Sequence, residues 1–280
     1  MRAPVIVGVD GSSSHDALLW GAQAAHRRGH PLHLVHAFWT TLTGYELAFD
    51  QAVEQQAKEH LHAQAAWAEE REPTLSVSTE LVMDTPARAL TQRSEGAELL
   101  VVGTHHRGVV ERLLTGSLSY QVVAGSHCPV VVVPMTSTWS DGGVVVGVDG
   151  SPDSLAAVAF AAAEADRLGA TLHVVHAWQE PAVFLPPALL DAGVTEQARE
   201  IERIVLAESC AGLRVDYPDL HVDQQLLHER PAIALLRWAE EAQMLVVGSR
   251  GRNGVARMLL GSVSHTVVQH APCPVAVVRT

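Results

Sequence analysis

The feature that most constrains this chain is an internal repeat. The run Val-Gly-Val-Asp-Gly-Ser occurs at residues 7–12 and again at 146–151, which is 139 positions later. Leu-Val-Val-Gly at 100–103 returns at 245–248, which is 145 positions later. A chain of 280 residues that carries one pattern twice is expected to fold as two similar domains. We predict a first domain over residues 1–135, a linker over 136–143 and a second domain over 144–280.

Within each copy, short β-branched runs alternate with longer amphipathic stretches, which predicts an α/β fold whose parallel sheet is covered on both faces. The predicted strands of the first copy are 5–9, 32–37, 76–81, 99–102 and 130–133. Its predicted helices are 16–28, 47–70, 86–94 and 117–124. In the second copy the predicted strands are 144–148, 171–177, 222–227, 244–247 and 275–278. Its predicted helices are 152–168, 195–213, 231–241 and 262–270.

Composition excludes several classes of protein. The chain is 48% hydrophobic and 18% charged, so it is not a disordered chain. A formal net charge of −12 disfavours binding to nucleic acid or to anionic membranes, which needs clustered cations. Three cysteines give no disulfide framework, and the longest apolar run, residues 155–163, is too short to span a membrane. Without a recognisable signal peptide, the protein is expected to be soluble and cytoplasmic.

Two strand ends in each copy carry residues suited to binding a phosphate. The first strand ends in Asp-Gly-Ser, which begins at Asp10 and at Asp149. The fourth strand runs into a glycine-containing loop that ends in Gly-Ser, over residues 103–117 and 248–262. Glycine lets backbone N–H groups approach an anion, and a helix N-terminus adds free donors. Because ligands bind beyond the carboxyl ends of such strands, the sequence predicts a phosphate cradle in each copy.

The second loop, Gly-x2-Gly-x9-Gly-Ser over 248–262, resembles the nucleotide-binding signature of the universal stress protein family. The Val-His-Ala strand at 175–177 and the Pro-Cys-Pro-Val-Ala-Val-Val segment at 272–278 agree with that family. The resemblance covers essentially the whole chain as two tandem domains. It implies two doubly wound domains of the adenine nucleotide alpha hydrolase-like fold, each with five parallel strands in the order 3-2-1-4-5. It also implies ATP, with or without Mg²⁺, as the cofactor.

The resemblance further implies a role for individual residues. In the second copy, Asp149 would contact the ribose and Ala177 would form the adenine wall. The residues that would surround the phosphates are Gly248, Gly251, Gly261 and Ser262, with Arg250 as a charged neighbour in the loop. The corresponding residues of the first copy are Asp10, Ala37, Gly103, Gly116 and Ser117.

The two copies differ at His106, which stands where the family has its second glycine. Either its side chain narrows the first cradle or demands an unfavourable φ, or its imidazole donates a hydrogen bond to a phosphate. We therefore expect the second site to be the better nucleotide site. The resemblance also implies that the last strands of the two copies pair antiparallel as an intrachain pseudo-dimer, with a homodimer of whole chains as a further option.

Three functions remain open once this resemblance is taken into account. They are an ATP-binding regulatory protein of the stress response, a nucleotide-independent interaction scaffold and a weak ATPase. A hydrolase needs a base near the phosphates, and residues 249–260 contain no carboxylate or histidine, so no catalytic residue is predicted. His33/His36 and His173/His176 are three apart on strands and point to opposite faces, so no metal site is predicted.

Overall fold

The chain forms two compact units, Met1–Ser137 and Thr138–Thr280. The computed structural model describes residues 2–10, 15–38, 47–104, 116–135, 140–179, 192–252 and 260–280. Residues 136–139 of the predicted linker lie outside this description, as does His106. Among the described residues, no helix is long and apolar enough to cross a membrane.

The first unit alternates strands and helices along its described residues. Its strands are rich in valine and leucine and are almost fully buried at the centre of the sheet. The strands are β1 (Val5–Gly8), β2 (Leu32–Phe38), β3 (Val77–Met83), β4 (Leu99–Gly103) and β5 (Val130–Val133). The helices are α1 (Asp16–Arg28), α2 (Leu47–Arg71), α3 (Pro86–Arg93) and α4 (Gly116–Gly125).

The second unit repeats that plan. Its strands are β6 (Val144–Gly147), β7 (Leu172–Trp178), β8 (Val222–His228), β9 (Met244–Gly248) and β10 (Val275–Val278). Its helices are α5 (Pro152–Leu168), α6 (Ala192–Ser209), α7 (Leu213–Asp216), α8 (Pro231–Ala239) and α9 (Ser262–His270).

Strand order confirms the predicted fold class in both units. In the first unit the order is β3-β2-β1-β4-β5, and in the second it is β8-β7-β6-β9-β10, which is the same order by position. Every one of these neighbouring pairs is parallel. The carboxyl ends of the first and fourth strands therefore lie side by side in each unit, which is where the predicted site residues are placed.

Helices cover both faces of the sheet, as the continuous apolar strands predict. On β7, His173 lies against Trp238 of α8, with ring centroids 5.2 Å apart. His176, three residues on, contacts Glu202 of α6. Because side chains alternate along a strand, these contacts place α8 and α6 on opposite faces.

Helix α5 shows why the elements begin and end where they do. Ser151 caps its first turn by accepting from the Ser154 N–H, and Pro152 occupies the first helical position. Gly169 ends it with φ 61°, in the left-handed region. The predicted single helix over 195–213 is instead two helices, because Gly212 adopts φ 87°, which an α-helix cannot include.

Candidate functional site

Asp149 lies two residues beyond β6 and is held by backbone donors from two segments. Its Oδ1 accepts from the Ser151 N–H at 3.0 Å, and its Oδ2 accepts from the Arg252 N–H at 2.8 Å. Burial opposes ionisation, but the hydrogen bonds from Ser151 and Arg252 outweigh it and lower the pKa of Asp149. The side chain is therefore a carboxylate at neutral pH, and it can only accept hydrogen bonds.

Asp153, in the first turn of α5, holds the end of β9 in place. Its Oδ2 accepts from the Ser249 hydroxyl at 2.7 Å and from the Arg250 N–H at 3.2 Å. Its Oδ1 accepts from the Thr280 hydroxyl at 2.7 Å and from the Thr280 N–H at 3.3 Å. Burial raises the pKa of Asp153, but the Ser249, Thr280 and Arg250 donors lower it to about 2. One carboxylate thus joins α5, the loop after β9 and the segment after β10.

Arg250 also directs its guanidinium toward Asp153. Its Nε lies 3.3 Å from the Asp153 Oδ2, so the side chain forms an ion pair within the protein. Its backbone carbonyl accepts from the Ser151 hydroxyl at 3.2 Å. To contact a phosphate as predicted, the Arg250 guanidinium must bind the phosphate while it stays paired with Asp153.

The far end of the loop returns to its start. The Gly261 N–H donates to the Ser249 carbonyl at 2.8 Å, and the Ser264 hydroxyl donates to the same oxygen at 2.9 Å. Gly261 is the N-cap of α9, and Ser262 is an exposed residue at its first helical position. The free N–H groups of this first turn are the anion-binding feature of a helix. The loop is thereby closed at both described ends, although residues 253–259 lie outside the description.

At two glycines of the motif, a Cβ would lie too close to neighbouring atoms. A Cβ on Gly251 would lie 2.4 Å from the Asp149 Oδ2, and a Cβ on Gly248 would lie 2.7 Å from the Asp153 backbone carbonyl carbon. Neither glycine has a positive φ. At the second site, a side chain at position 251 therefore requires the Asp149 carboxylate to move, whereas the backbone angle presents no obstacle.

Ala177 lies near the end of β7 and is 8% exposed. Its neighbour Trp178 packs against His228, with ring centroids 4.6 Å apart. On the other side of Ala177, the His176 Nδ1 contacts the Val148 carbonyl at 2.6 Å, which ties β7 to the residue before Asp149. The predicted adenine wall therefore stands beside the predicted ribose carboxylate.

The first unit places Asp10 beyond β1, Ala37 in β2 and Gly103 at the end of β4. Among the described residues, a Cβ on Gly103 would meet the Ala17 Cβ, at an ordinary 3.5 Å. Gly116 begins α4 and Ser117 follows it, but the side chain of Ser117 is outside the description, as are His106 and residues 11–14. The structure brings the described first-unit residues to one sheet edge.

Sequence reasoning missed Asp153, Glu202, Arg252 and Thr280. The local signal for Asp153 was only its place in the first turn of a helix, where acids are common. Its partners lie 96 to 127 positions away in the chain. Such long-range contacts leave no trace in local spacing.

The other reactive groups form no site in the described residues. No group of three or more histidines, cysteines or acids there is arranged to hold a metal ion. Cys128, Cys210 and Cys273 are free thiols, and burial raises the pKa of Cys273 and of Cys128 to about 12. Such thiols stay protonated and unreactive at neutral pH.

The strand order places both units in the class of doubly wound α/β domains, in which ligand sites lie beyond the carboxyl ends of the strands. The model of the "Universal stress protein family" matches residues 1–134 and 143–279. The chain belongs to the universal stress protein family, with two domains in tandem.

Curated relatives match over nearly the full length. Universal stress protein Rv2005c of Mycobacterium tuberculosis is 38% identical, and the match covers 98% of this chain and 96% of the relative. Universal stress protein Rv2623 of the same organism is 36% identical with the same coverage. A crystal structure of a universal stress protein from Archaeoglobus fulgidus covers 99% of this chain and 96% of its own, at 22% identity and a TM-score of 0.71. That structure shares the fold.

Proposed function

We propose that the second unit binds an adenine nucleotide, ATP, and that the protein is a regulatory member of its family in which nucleotide occupancy changes shape or partner choice. In this proposal Asp149 accepts hydrogen bonds from the ribose hydroxyls and Ala177 packs against the adenine. The phosphates lie in the loop that Gly248, Gly251 and Gly261 line, and they contact the hydroxyl of Ser262.

One observation carries the proposal. The ionised carboxylate of Asp149 contacts the same loop that ends at the first turn of α9, through the Arg252 N–H at 2.8 Å. An acceptor for sugar hydroxyls and a set of donors for phosphate are thereby joined at one sheet edge. The bare Cα of Gly251 leaves the space between them free of a side chain.

A nucleotide-independent scaffold is the second candidate, and the first unit favours it. His106 replaces a motif glycine there. The Asp10 carbonyl accepts from His60 Nε2, which is 2.9 Å away. We therefore propose a strong nucleotide site in the second unit and a weak site or a contact surface in the first. Slow ATP hydrolysis, Mg²⁺ binding, the cytoplasmic location and the pairing of terminal strands stay predictions.

The first experiment is release of bound small molecules from the purified, denatured protein, followed by chromatography against adenine nucleotide standards. We expect an adenine nucleotide at up to one equivalent per chain. If none is released, titration calorimetry of the full chain with ATP, with and without Mg²⁺, decides. Absence of binding heat in both conditions would contradict the proposal.

Asp149→Asn tests the carboxylate without changing its size. We expect ATP binding at the second site to weaken by about tenfold to a hundredfold, because a charge-assisted acceptor is lost at the ribose. Asp166→Asn is the matched control, since Asp166 is an exposed acid on α5 and its substitution changes net charge equally. Equal affinities for the two variants would remove Asp149 from the site.

A further inference from the structure

A chain of hydrogen-bonded groups runs from the interior of the second unit to its predicted nucleotide site. His176 is 1% exposed, and its Nε2 lies 2.6 Å from the Glu202 Oε2. Arg252 donates from Nη2 to the same Oε2 at 2.7 Å. One carboxylate oxygen of α6 therefore holds both a buried imidazole of β7 and a guanidinium of the loop after β9.

Two contacts hold Glu202 in one position. The His176 Nδ1 lies 2.6 Å from the Val148 carbonyl, which fixes the buried ring of β7 with its Nε2 toward Glu202. Burial would raise the pKa of Glu202, but the hydrogen bonds from Arg252 and His176 outweigh it and lower that pKa. A partly buried carboxylate of this kind needs its donors, so Glu202 is tied to the imidazole and the guanidinium together.

Arg252 carries this constraint to the site. Its side chain is fixed on Glu202, and its backbone N–H donates to the Asp149 Oδ2 at 2.8 Å. The guanidinium of Arg252 makes the first contact, and its backbone amide makes the second. Helix α6 thus determines where the loop presents its amide to the carboxylate that is proposed to bind the ribose.

We infer that Glu202, bridging the buried His176 to Arg252, is a positioning residue that fixes Arg252 on Asp149 and so sets the preference of the second site for ribose over deoxyribose. This inference rests on the proposed nucleotide function. Glu202 does not itself touch the sugar, and it acts on it through Arg252 and Asp149. Without it, the Arg252 amide is released from Asp149, and the carboxylate rotates away from the orientation that receives two neighbouring hydroxyls.

The first unit shows which part of the arrangement is specific to the second. There the His36 Nδ1 contacts the Val9 carbonyl at 2.8 Å, as His176 contacts Val148. Val77 of β3 and Val222 of β8 are 145 positions apart. The same offset aligns Ala57 of the first copy with Glu202 of the second. Alanine offers no carboxylate, so the shared histidine has no bridge to the loop at that position.

The test compares Glu202→Gln with Glu208→Gln in the full chain. Glu208 is an exposed acid on the same helix, so both variants lose one charge from α6. Affinities for ATP and for 2′-deoxy-ATP are measured by calorimetry in an Asp10→Ala background, which removes the carboxylate of the first site. We expect Glu202→Gln to weaken ATP by about tenfold and to leave 2′-deoxy-ATP nearly unchanged, whereas Glu208→Gln changes neither.

A measurement without nucleotide separates this inference from the proposed function. Exchange of the Arg252 amide with solvent, followed by NMR, is expected to accelerate about tenfold in Glu202→Gln and not in Glu208→Gln. If the parent protein binds no ATP, the proposed function fails while the exchange result still tests the bridge. If the parent binds ATP and Glu202→Gln keeps both the slow exchange and the ribose preference, the inference is overturned.

A second variant covers the case in which Glu202→Gln does not fold. Arg252 has a side chain that is 39% exposed, so Arg252→Ala removes the other end of the bridge at little risk to the core. The same selective loss for ATP over 2′-deoxy-ATP is expected. An equal loss for both nucleotides, in either variant, would show that the residues act only on the general structure and would overturn the positioning role.

Discussion

In both units the candidate site lies at the carboxyl ends of the first and fourth strands. The residues that surround these strand ends differ between the units. In the second unit, Asp149 is ionised and joined to the loop, and Asp153 binds donors from the same loop and from Thr280. In the first unit, a Cβ on Gly103 would meet the Ala17 Cβ at an ordinary 3.5 Å among the described residues, and the Asp10 carbonyl contacts the imidazole of His60. Position 14, which matches Asp153 at the 139-residue offset, is serine.

The difference shows that a shared fold supplies the edge but not the site. Both units have parallel strands in one order and an aspartate after the first strand. The second unit adds acids whose charge is balanced by donors on the loop, and these acids fix the glycines in register with Asp149. Substitutions that exchange such features between units test how much of the predicted asymmetry they explain.

The largest effect is expected from Gly261→Glu in the second unit. Among the described residues, a Cβ there would lie nearest to the Ser264 hydroxyl, at 3.3 Å, which a small shift of that side chain relieves, and the new carboxylate would oppose the phosphates at the start of α9. ATP affinity at this site should fall at least about a hundredfold, or about 2.7 kcal/mol, by calorimetry. Gly261→Ala carries the Cβ without the charge and should keep most of the affinity. Full affinity in Gly261→Glu would contradict the site.

The next effect concerns the stability of the second unit. The pKa of Asp153 is about 2 in the folded protein, against an ordinary value of 3.8. Because the folded value is depressed, the stabilisation is fully present above about pH 4 and is lost as pH falls through about 2. Asp153→Asn should lower the free energy of unfolding by about 2 kcal/mol at pH 7, in denaturant titrations.

Repeating the denaturant titrations at acid pH sharpens this test. The difference between parent and Asp153→Asn should shrink as pH falls from about 4 to about 2, because the carboxylate binds a proton near pH 4 in the unfolded parent and only near pH 2 in the folded one. Asp166→Asn, at an exposed position of the same helix, should have little effect at any pH. A difference that is constant with pH would show that ionisation of Asp153 does not stabilise the fold.

Gly251→His transfers the first unit's motif residue into the second site. Because a Cβ at this position would lie 2.4 Å from the Asp149 Oδ2, the carboxylate must move, and ATP affinity should fall by about tenfold, or about 1.4 kcal/mol. Gly251→Ala should reproduce most of the loss if the Cβ is the obstacle. A loss confined to the histidine variant would assign it to the imidazole instead.

The reverse exchange, His106→Gly, is expected to have the smallest effect. Removing the side chain should strengthen ATP binding at the first site by about threefold, or about 0.6 kcal/mol, since other features of the second site remain absent. The measurement is the affinity of the weaker site in a two-site calorimetric fit. Unchanged stoichiometry and affinity would show that His106 does not limit that site.

Local pattern predicts much of this molecule. The valine-rich strands 130–133 and 275–278 and the helix at Asp16–Arg28 have the predicted bounds, because apolar runs and caps are local signals. The repeat also predicts that Asp149 and the loop 248–262 lie at one edge. The break at Gly212 was not predicted, since a glycine near a helix end is compatible with either continuation or termination.

The contacts that hold the site could not be predicted in the same way. Glu202 is 26 positions from His176 and 50 from Arg252, and nothing in the helix pattern distinguishes it from Glu200 or Glu208. These partners meet only once the sheet has formed. Sequence spacing therefore indicates the ligand-facing residues but not the acids behind them.

The carboxylate of Asp153 has a consequence for folding order. It joins the start of α5 to Ser249 and to Thr280, which are 96 and 127 positions further along the chain. A nascent second unit can contain the whole glycine signature and still lack the clamp that aligns it, until β10 has docked. A truncation after residue 278 would spare every signature residue and nevertheless leave the loop misaligned, so maturation of the site is coupled to β10 and to Thr280 beyond it.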